Sequence, residues 1–289
     1  MLTNLYKELN SPLDPIPTAL EAKLTKLEDI RAVIFDIYGT LVVSGTGDIS
    51  IAQTIDKETE LRALLESMGL TIDPSLRLTD RFYALIKADH AASKANGAHY
   101  PEVDILDIWS HFFSDLQTEG HIDQSPAGEA LQEMAIRFEC AVNPVWLMPG
   151  VEPLLSSLRA SEHALGIVSN AQFYTPIMLE GFTHQSLTQL GFQSDLSVWS
   201  YKERLGKPSV ELFEKLNAEL ERHGIQPGQA LYVGNDMLND IWTATEAGLK
   251  TALFAGDERS LRLRESDDRC RDLEPDVILT DLSQLLQLV

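Results

Sequence analysis

The apolar positions of this chain change their period twice. Arg31-Ala-Val-Ile-Phe-Asp36 is a short apolar run with β-branched residues that closes on an acid, followed by Tyr38-Gly39-Thr40. That is how a buried parallel strand ends in a functional loop. From about residue 50 to 143 Val and Ile thin out and the spacing turns helical. Leu61, Leu64, Leu65 and Met68 form one such set, and Phe82, Leu85 and Ile86 a second. Ile105, Ile108, Trp109, Phe112 and Phe113 form a third, and Leu131, Met134, Ala135 and Phe138 a fourth. Pro149-Gly150 then reopens an alternating pattern. Strands are predicted at 164–169, 195–199, 230–234, 251–254 and 277–280. Helices are predicted at 151–160, at 209–222 after Pro208, and at 239–247 before Gly248. Leu20, Leu24 and Leu27 predict a helical lead-in within residues 1–30.

Strand–helix alternation with crossovers of this length implies a parallel sheet covered by helices on both faces. The expected architecture is therefore a doubly wound, Rossmann-like α/β core of residues 1–43 and 144–289. An all-α cap domain, residues 44–143, is inserted after its first strand. Ser44-Gly-Thr-Gly-Asp48 reads as a flexible turn or flap; Gly45–Gly47 and Pro149-Gly150 are the candidate hinges.

Composition narrows the function classes. The 289 residues suggest about two domains at roughly 150 residues each. Two cysteines, Cys140 and Cys270, are too few for a disulfide scaffold or a cysteine-rich zinc module. A net charge of −21 argues against a nucleic-acid backbone or an anionic membrane as partner. Neither a secretory leader nor a membrane span is expected, so the chain reads as cytoplasmic.

In a doubly wound sheet the ligand site lies outside the carboxyl ends of the strands. The polar residues there are Asp36, Ser169-Asn170, and Asn235-Asp236 with Asp240; Lys207 precedes a helix in Gly206-Lys207-Pro208. A carboxylate, a hydroxyl, an ammonium and an acid pair suit attack by a carboxylate nucleophile, with a metal or lysine balancing the negative charge.

Four ordered segments then carry a resemblance. Phe35-Asp-Ile-Tyr-Gly-Thr-Leu41, Val168-Ser-Asn170, Gly206-Lys-Pro208 and Val233-Gly-Asn-Asp-Met-Leu-Asn-Asp240 resemble the four motifs of the haloacid dehalogenase-like (HAD) hydrolases. The gaps between them are 133 residues (36 to 169), 38 (169 to 207) and 29 (207 to 236). The resemblance spans about residues 31–256 and implies a HAD-type core whose cap follows the first motif. It implies that Asp36 is the nucleophile of a covalent aspartyl intermediate, with Thr40, Ser169, Asn170 and Lys207 around the transferring group. It further implies Mg²⁺, held by Asp36, the backbone carbonyl of Tyr38 and a fourth-motif residue among Asn235, Asp236 and Asp240.

Two departures leave alternatives open. Superfamily phosphatases usually carry Asp two residues after the nucleophile; here that position is Tyr38, as in 2-haloacid dehalogenases. A phenol with pKa near 10 is a poor general acid at neutral pH. Asn235 stands where the first acid of Gly-Asp-Ser-x-x-Asn-Asp is usual, with Asp236 beside it. The leading expectation is a Mg²⁺-dependent phosphatase acting on a small phosphate ester. The alternative is a metal-independent 2-haloacid dehalogenase, which would want a cap arginine such as Arg62 or Arg81. The third is a catalytically degenerate binding protein. Asp48 is a remote stand-in for the absent acid, and Tyr100–Asp104 a candidate substrate-facing segment. His90, His99 and His111 are expected in core or surface roles. Arg259, Arg262, Arg264, Arg269 and Arg271 are expected on a solvated face.

Overall fold

A computed structural model describes residues 2–46, 57–70 and 72–289. Gly47 and Asp48, and with them the tip of the expected flap, lie outside the described residues. In chain order the core begins with helix α1 (Leu2–Leu9) and strand β1 (Ala32–Phe35), then β2 (Val42–Ser44). Among the described residues four helices follow: α2 (Glu58–Ser67), α3 (Leu78–Ala95), α4 (Ile105–Thr118) and α5 (Glu129–Val142). The chain returns through β3 (Val145–Leu147), α6 (Val151–Ala160), β4 (Ala164–Ser169), α7 (Tyr174–Thr183) and β5 (Phe192–Trp199). It ends with α8 (Glu211–Arg222), β6 (Ala230–Gly234), β7 (Lys250–Phe254) and β8 (Val277–Leu279).

Six strands form one parallel sheet in the order β5-β4-β1-β6-β7-β8, with β1 between β4 and β6. Alternation along the central strands feeds two cores. Val33 and Phe35 of β1, Leu165 and Ile167 of β4, and Leu231 and Val233 of β6 join one apolar cluster. Ala32 and Ile34, Ala164 and Val168, and Ala230 and Tyr232 join the other, against Phe213 and Leu216 of α8. Burial on both faces explains why these strands read as continuous apolar runs.

Helices α2 to α5 bury their stripes in a cluster of their own. Trp109 is 1 % exposed, with its ring 4.0 Å from that of Phe82. The crossings into and out of this helical block lie side by side. β2 pairs antiparallel with β3 through Val42↔Leu147 and Ser44↔Val145, and Gly45 donates to the Pro144 carbonyl at 2.7 Å.

Two local expectations are corrected. The lead-in is helical only over Leu2–Leu9. Pro12, Pro15 and Pro17 stop the helix, since proline lacks the donor and clashes with the preceding turn. The rest of the segment runs extended, and Lys23 exchanges 3.0 Å hydrogen bonds with Ile278 at the sheet edge. The helix expected at 239–247 starts earlier, as a π-helical turn over Met237–Trp242 that continues into Thr243–Glu246.

Candidate active site

The carboxyl ends of β1, β4 and β6 open on the same edge, so the residue following each strand faces its counterparts. Asp36 sits at the centre, its amide donating to the Val233 carbonyl at 2.9 Å. Lys207, in the loop before α8, is nearly sealed at 3 % side-chain exposure. Its ammonium donates to Asp36 Oδ1 (2.8 Å), Asp240 Oδ1 (2.5 Å) and the Tyr232 hydroxyl (2.9 Å). Tyr232 in turn donates to the Val168 carbonyl at 2.7 Å. Burial alone would depress the Lys207 pKa. The carboxylates of Asp240 and Asp36 outweigh it and hold the ammonium above its ordinary range. Burial also pushes Asp240 up to about 6, against the pull of Lys207 and reinforced by Asp36.

Asp240 Oδ2 accepts the backbone amides of Asn235 and Asp236, both at 2.9 Å. Gly234 makes room for that carboxylate, because a Cβ there would come within 2.4 Å of it. Asn170 aligns the lysine loop: its Oδ1 accepts the Lys207 amide at 2.7 Å, and its Nδ2 donates to the Lys207 carbonyl at 3.3 Å. Ser169 is fully buried, and its hydroxyl has no hydrogen-bond partner among the described residues. Thr40 donates to Asn235 Oδ1 at 3.1 Å.

A cavity of about 390 Å³ joins this edge to the helical block. Its polar end is walled by Asp36, Asn170, Lys207, Asn235, Asp236 and Asp240. Its apolar end is walled by Phe82, Tyr83, Ile86, Trp109 and Phe138 from α3, α4 and α5. Ser169 and Thr40 lie just behind the wall rather than on it.

Several expected residues are placed differently. Tyr38 lines the cavity, but its hydroxyl lies 3.0 Å from Thr175 Oγ1. Burial, and then the Glu139 carboxylate, raise its pKa well above the phenol range, so it holds its proton. Asp236 caps the following turn through the amides of Leu238 (2.9 Å) and Asn239 (3.1 Å). Arg264 also grips both of its oxygens, at 2.6 to 3.1 Å. Arg262 and Arg264 therefore wall the cavity instead of forming part of a solvated face. Their segment is pinned by the Asn235 amide donating to the Ser260 carbonyl at 2.6 Å, a contact that no periodicity announces. Arg259, Arg269 and Arg271 pair with Asp257, Asp267 and Asp268, away from the cavity.

Arg62 and Arg81 do not reach the cavity. Arg62 pairs with Glu58 at 2.8 Å and Arg81 with Glu119 at 2.8 Å. His99 and His111 are exposed. His90 lines the cavity, and its Nε2 is buried without a hydrogen-bond partner among the described residues. From the Tyr100–Asp104 segment, Pro101, Glu102 and Val103 reach the wall. Glu102 and Glu139 were not singled out by the sequence, although Glu102 lies in a segment that was.

The metal expectation meets a reduced donor set. Asp236 and Asp240 are spent on Arg264, Lys207 and backbone amides. Among the described residues no three His, Cys, Asp or Glu side chains converge as ligands. What is left is Asp36 Oδ2, which has no hydrogen-bond partner among the described residues, the carbonyl of Tyr38, and the second lone pair of Asn235 Oδ1. One carboxylate and two neutral oxygens, with waters completing the sphere, fit a hard cation such as Mg²⁺.

The parallel core with a strand-end carboxylate pinned by lysine belongs to the Rossmann-like hydrolases. Residues 30–248 match the family model described as haloacid dehalogenase-like hydrolase, and the chain belongs to that family. Among solved structures, a 2-haloacid dehalogenase from Pseudomonas syringae pv. Tomato DC3000 aligns with a TM-score of 0.54 and 21 % identity. The alignment covers 90 % of this chain and 97 % of that one. A HAD phosphatase from Thermococcus onnurineus aligns with a TM-score of 0.50 and 21 % identity, over 89 % and 97 %. At this identity the likeness is one of fold, and it includes both activities. No curated protein matches the sequence. No helix among the described residues is long and apolar enough to cross a membrane.

Proposed function

We propose that the protein hydrolyses a small phosphate ester through a covalent intermediate on Asp36, with Mg²⁺ as cofactor. The observation that carries the reading is the sealed Asp36–Lys207–Asp240 cluster on the cavity wall, together with a buried Ser169 hydroxyl that has no hydrogen-bond partner among the described residues. A buried polar group without a partner costs about 1–3 kcal/mol, which a bound anion would relieve. The helical block would act as the cap over the site, closing on substrate and excluding water.

In this reading Lys207 orients the Asp36 carboxylate on the cavity wall while Asp240 and Asn170 fix the lysine. Asp36 attacks phosphorus and the bond to the leaving oxygen breaks. Water then displaces Asp36 and releases phosphate. Ser169 and the Lys207 ammonium meet charge on the transferring oxygens, a preorganised stabilisation that needs no rearrangement. Mg²⁺, held by Asp36, the Tyr38 carbonyl and Asn235, would neutralise charge on the same group. The aromatic end of the cavity suits a substrate with an apolar body.

One observation favours the second reading, 2-haloacid hydrolysis. The Tyr38 phenol is turned to Thr175 and cannot protonate a leaving group, which a halide does not require. Against it stands the placement of Arg62 and Arg81 away from the cavity. The deciding assay is p-nitrophenyl phosphate hydrolysis with Mg²⁺ or with EDTA, using Asp36→Asn as control. Metal-dependent turnover lost in the variant is expected. Halide release from 2-chloropropionate without metal, and no phosphate release, would replace this reading with the second.

A further inference from the structure

We propose that Glu102, from the segment leading into α4, is the group that gives and takes the proton at this site, in place of the acid that Tyr38 displaces. This deepens the phosphate-ester reading and rests on it for the identity of the leaving group. The Tyr100–Asp104 segment lies along the stretch that ends in Lys207. Gly206 donates to the Tyr100 carbonyl at 2.8 Å and Glu102 to the Arg204 carbonyl at 3.1 Å. Glu102 thereby lines the same cavity as Asp36 and Lys207.

Its carboxyl group is oriented from three sides. Oε1 accepts the Val103 amide at 2.9 Å and a long 3.5 Å contact from Gln172 Nε2; Oε2 accepts the Ser200 hydroxyl at 3.2 Å. Gln172 is itself fixed, donating to the Val103 carbonyl at 2.9 Å and accepting the Ile105 amide at 2.9 Å.

The charged groups facing Glu102 are few. Arg204, across the paired segment, already engages Asp107 at 2.5 Å. Asp89 comes from α3. Its neighbour His90 is kept neutral, because burial lowers its pKa. Burial pushes the Glu102 carboxyl up to about 7, partly opposed by the Val103 amide, the Ser200 hydroxyl and Arg204, and reinforced by Asp89. A group poised near neutrality both donates and accepts efficiently. Glu139, the other glutamate on the wall, likewise has both oxygens engaged, by the Tyr174 hydroxyl at 2.9 Å and the Asn143 side-chain amide at 3.2 Å.

The proton then balances over the two steps. In the first, Asp36 bonds to phosphorus and the ester P–O bond breaks. The electron pair goes to the leaving oxygen, which takes the Glu102 proton. In the second, water bonds to phosphorus and gives a proton to the Glu102 carboxylate. The Asp36–P bond breaks with its pair returning to the aspartate.

The test compares wild type with Glu102→Gln on p-nitrophenyl phosphate, whose leaving group needs no proton, and on an alkyl phosphate, whose leaving group does. The kcat/KM reports the first step. It should fall on the order of a hundredfold for the alkyl ester and only a few-fold for the nitrophenyl ester. An equal loss on both, or the same selective loss in Glu139→Gln but not in Glu102→Gln, overturns the proposal. An independent arm titrates the carboxyl by carbon-13 NMR of glutamate-labelled protein. The signal is assigned with Glu102→Gln or, if that variant does not fold, with Glu102→Asp. Titration near pH 7 supports the proposal, and titration in the ordinary carboxylate range overturns it. If wild type turns over no phosphate ester, the substrate reading falls while the NMR arm still decides the role of Glu102.

Discussion

Replacing Lys207 by Met tests the electrostatics of the site most directly. The ammonium lies 2.8 Å from Asp36 and 2.5 Å from Asp240, with side-chain exposures of 3 %, 9 % and 2 %. Removing it leaves two buried carboxylates without their counter-charge, which costs about 3–5 kcal/mol. For 289 residues, with an unfolding entropy of about 0.6 kcal/mol/K, Tm should drop by about 5–8 °C at pH 8. The sign with pH follows from linkage. Without the ammonium the Asp240 carboxyl, which burial already pushes up to about 6, rises further. The difference from wild type is small below about 6, where Asp240 is protonated in both proteins, and grows as pH rises past that value. At pH 8 the wild-type Asp240 is ionised, so there the missing counter-charge is felt. At pH 5, below the wild-type Asp240 value, the difference should largely vanish. Denaturant unfolding of both proteins at the two pH values measures this. An equal loss at pH 5 and pH 8 would mean that the lysine stabilises by packing and that the charge argument is wrong.

Two further substitutions probe the frame around the site. Gly39 has φ +82°, and a Cβ there would lie 2.6 Å from Asn235 Nδ2 and from Ser260 Cβ. Gly39→Ala should destabilise by about 1–3 kcal/mol and lower kcat, read by thermal melts and steady-state kinetics; unchanged values would show that the loop relaxes freely. Arg81→Ala should leave kcat/KM within a few-fold, because the side chain pairs with Glu119 away from the cavity. A collapse of activity in that variant would bring the cap arginine, and the dehalogenase reading, back.

The parallel strands were legible because burial on both faces leaves an unbroken apolar run, as in Ala164–Ser169 and Ala230–Gly234, whose limits match the prediction. The polar residues ending those runs fall on one edge by topology alone, which is why Asp36, Lys207 and Asp240 could be named together. The three-residue strands of the ribbon, by contrast, were missed because they are too short to show a period. Leu20, Leu24 and Leu27 mimic a helix whose proline-rich approach forbids it. The approach of Arg262 and Arg264 to the cavity depends on a tertiary contact between Ser260 and Asn235. The role proposed for Glu102 depends on desolvation, which a string of residues does not encode.

The antiparallel ribbon has a consequence for how such a protein diversifies. Because the outgoing and returning chains are hydrogen-bonded to each other at Val42–Ser44 and Val145–Leu147, the two ends of the insert leave the core side by side. A paired stem of this kind accepts a different insert without moving the strand ends that carry Asp36 and Asn170, while the loop of Lys207 also pairs with the insert at Tyr100 and Glu102. Exchanging the insert would therefore exchange the aromatic wall and Glu102 together while Asp36, Asn170 and Lys207 stay in place, and a chimera joined at Ser44 and Val145 is the unit in which that can be done.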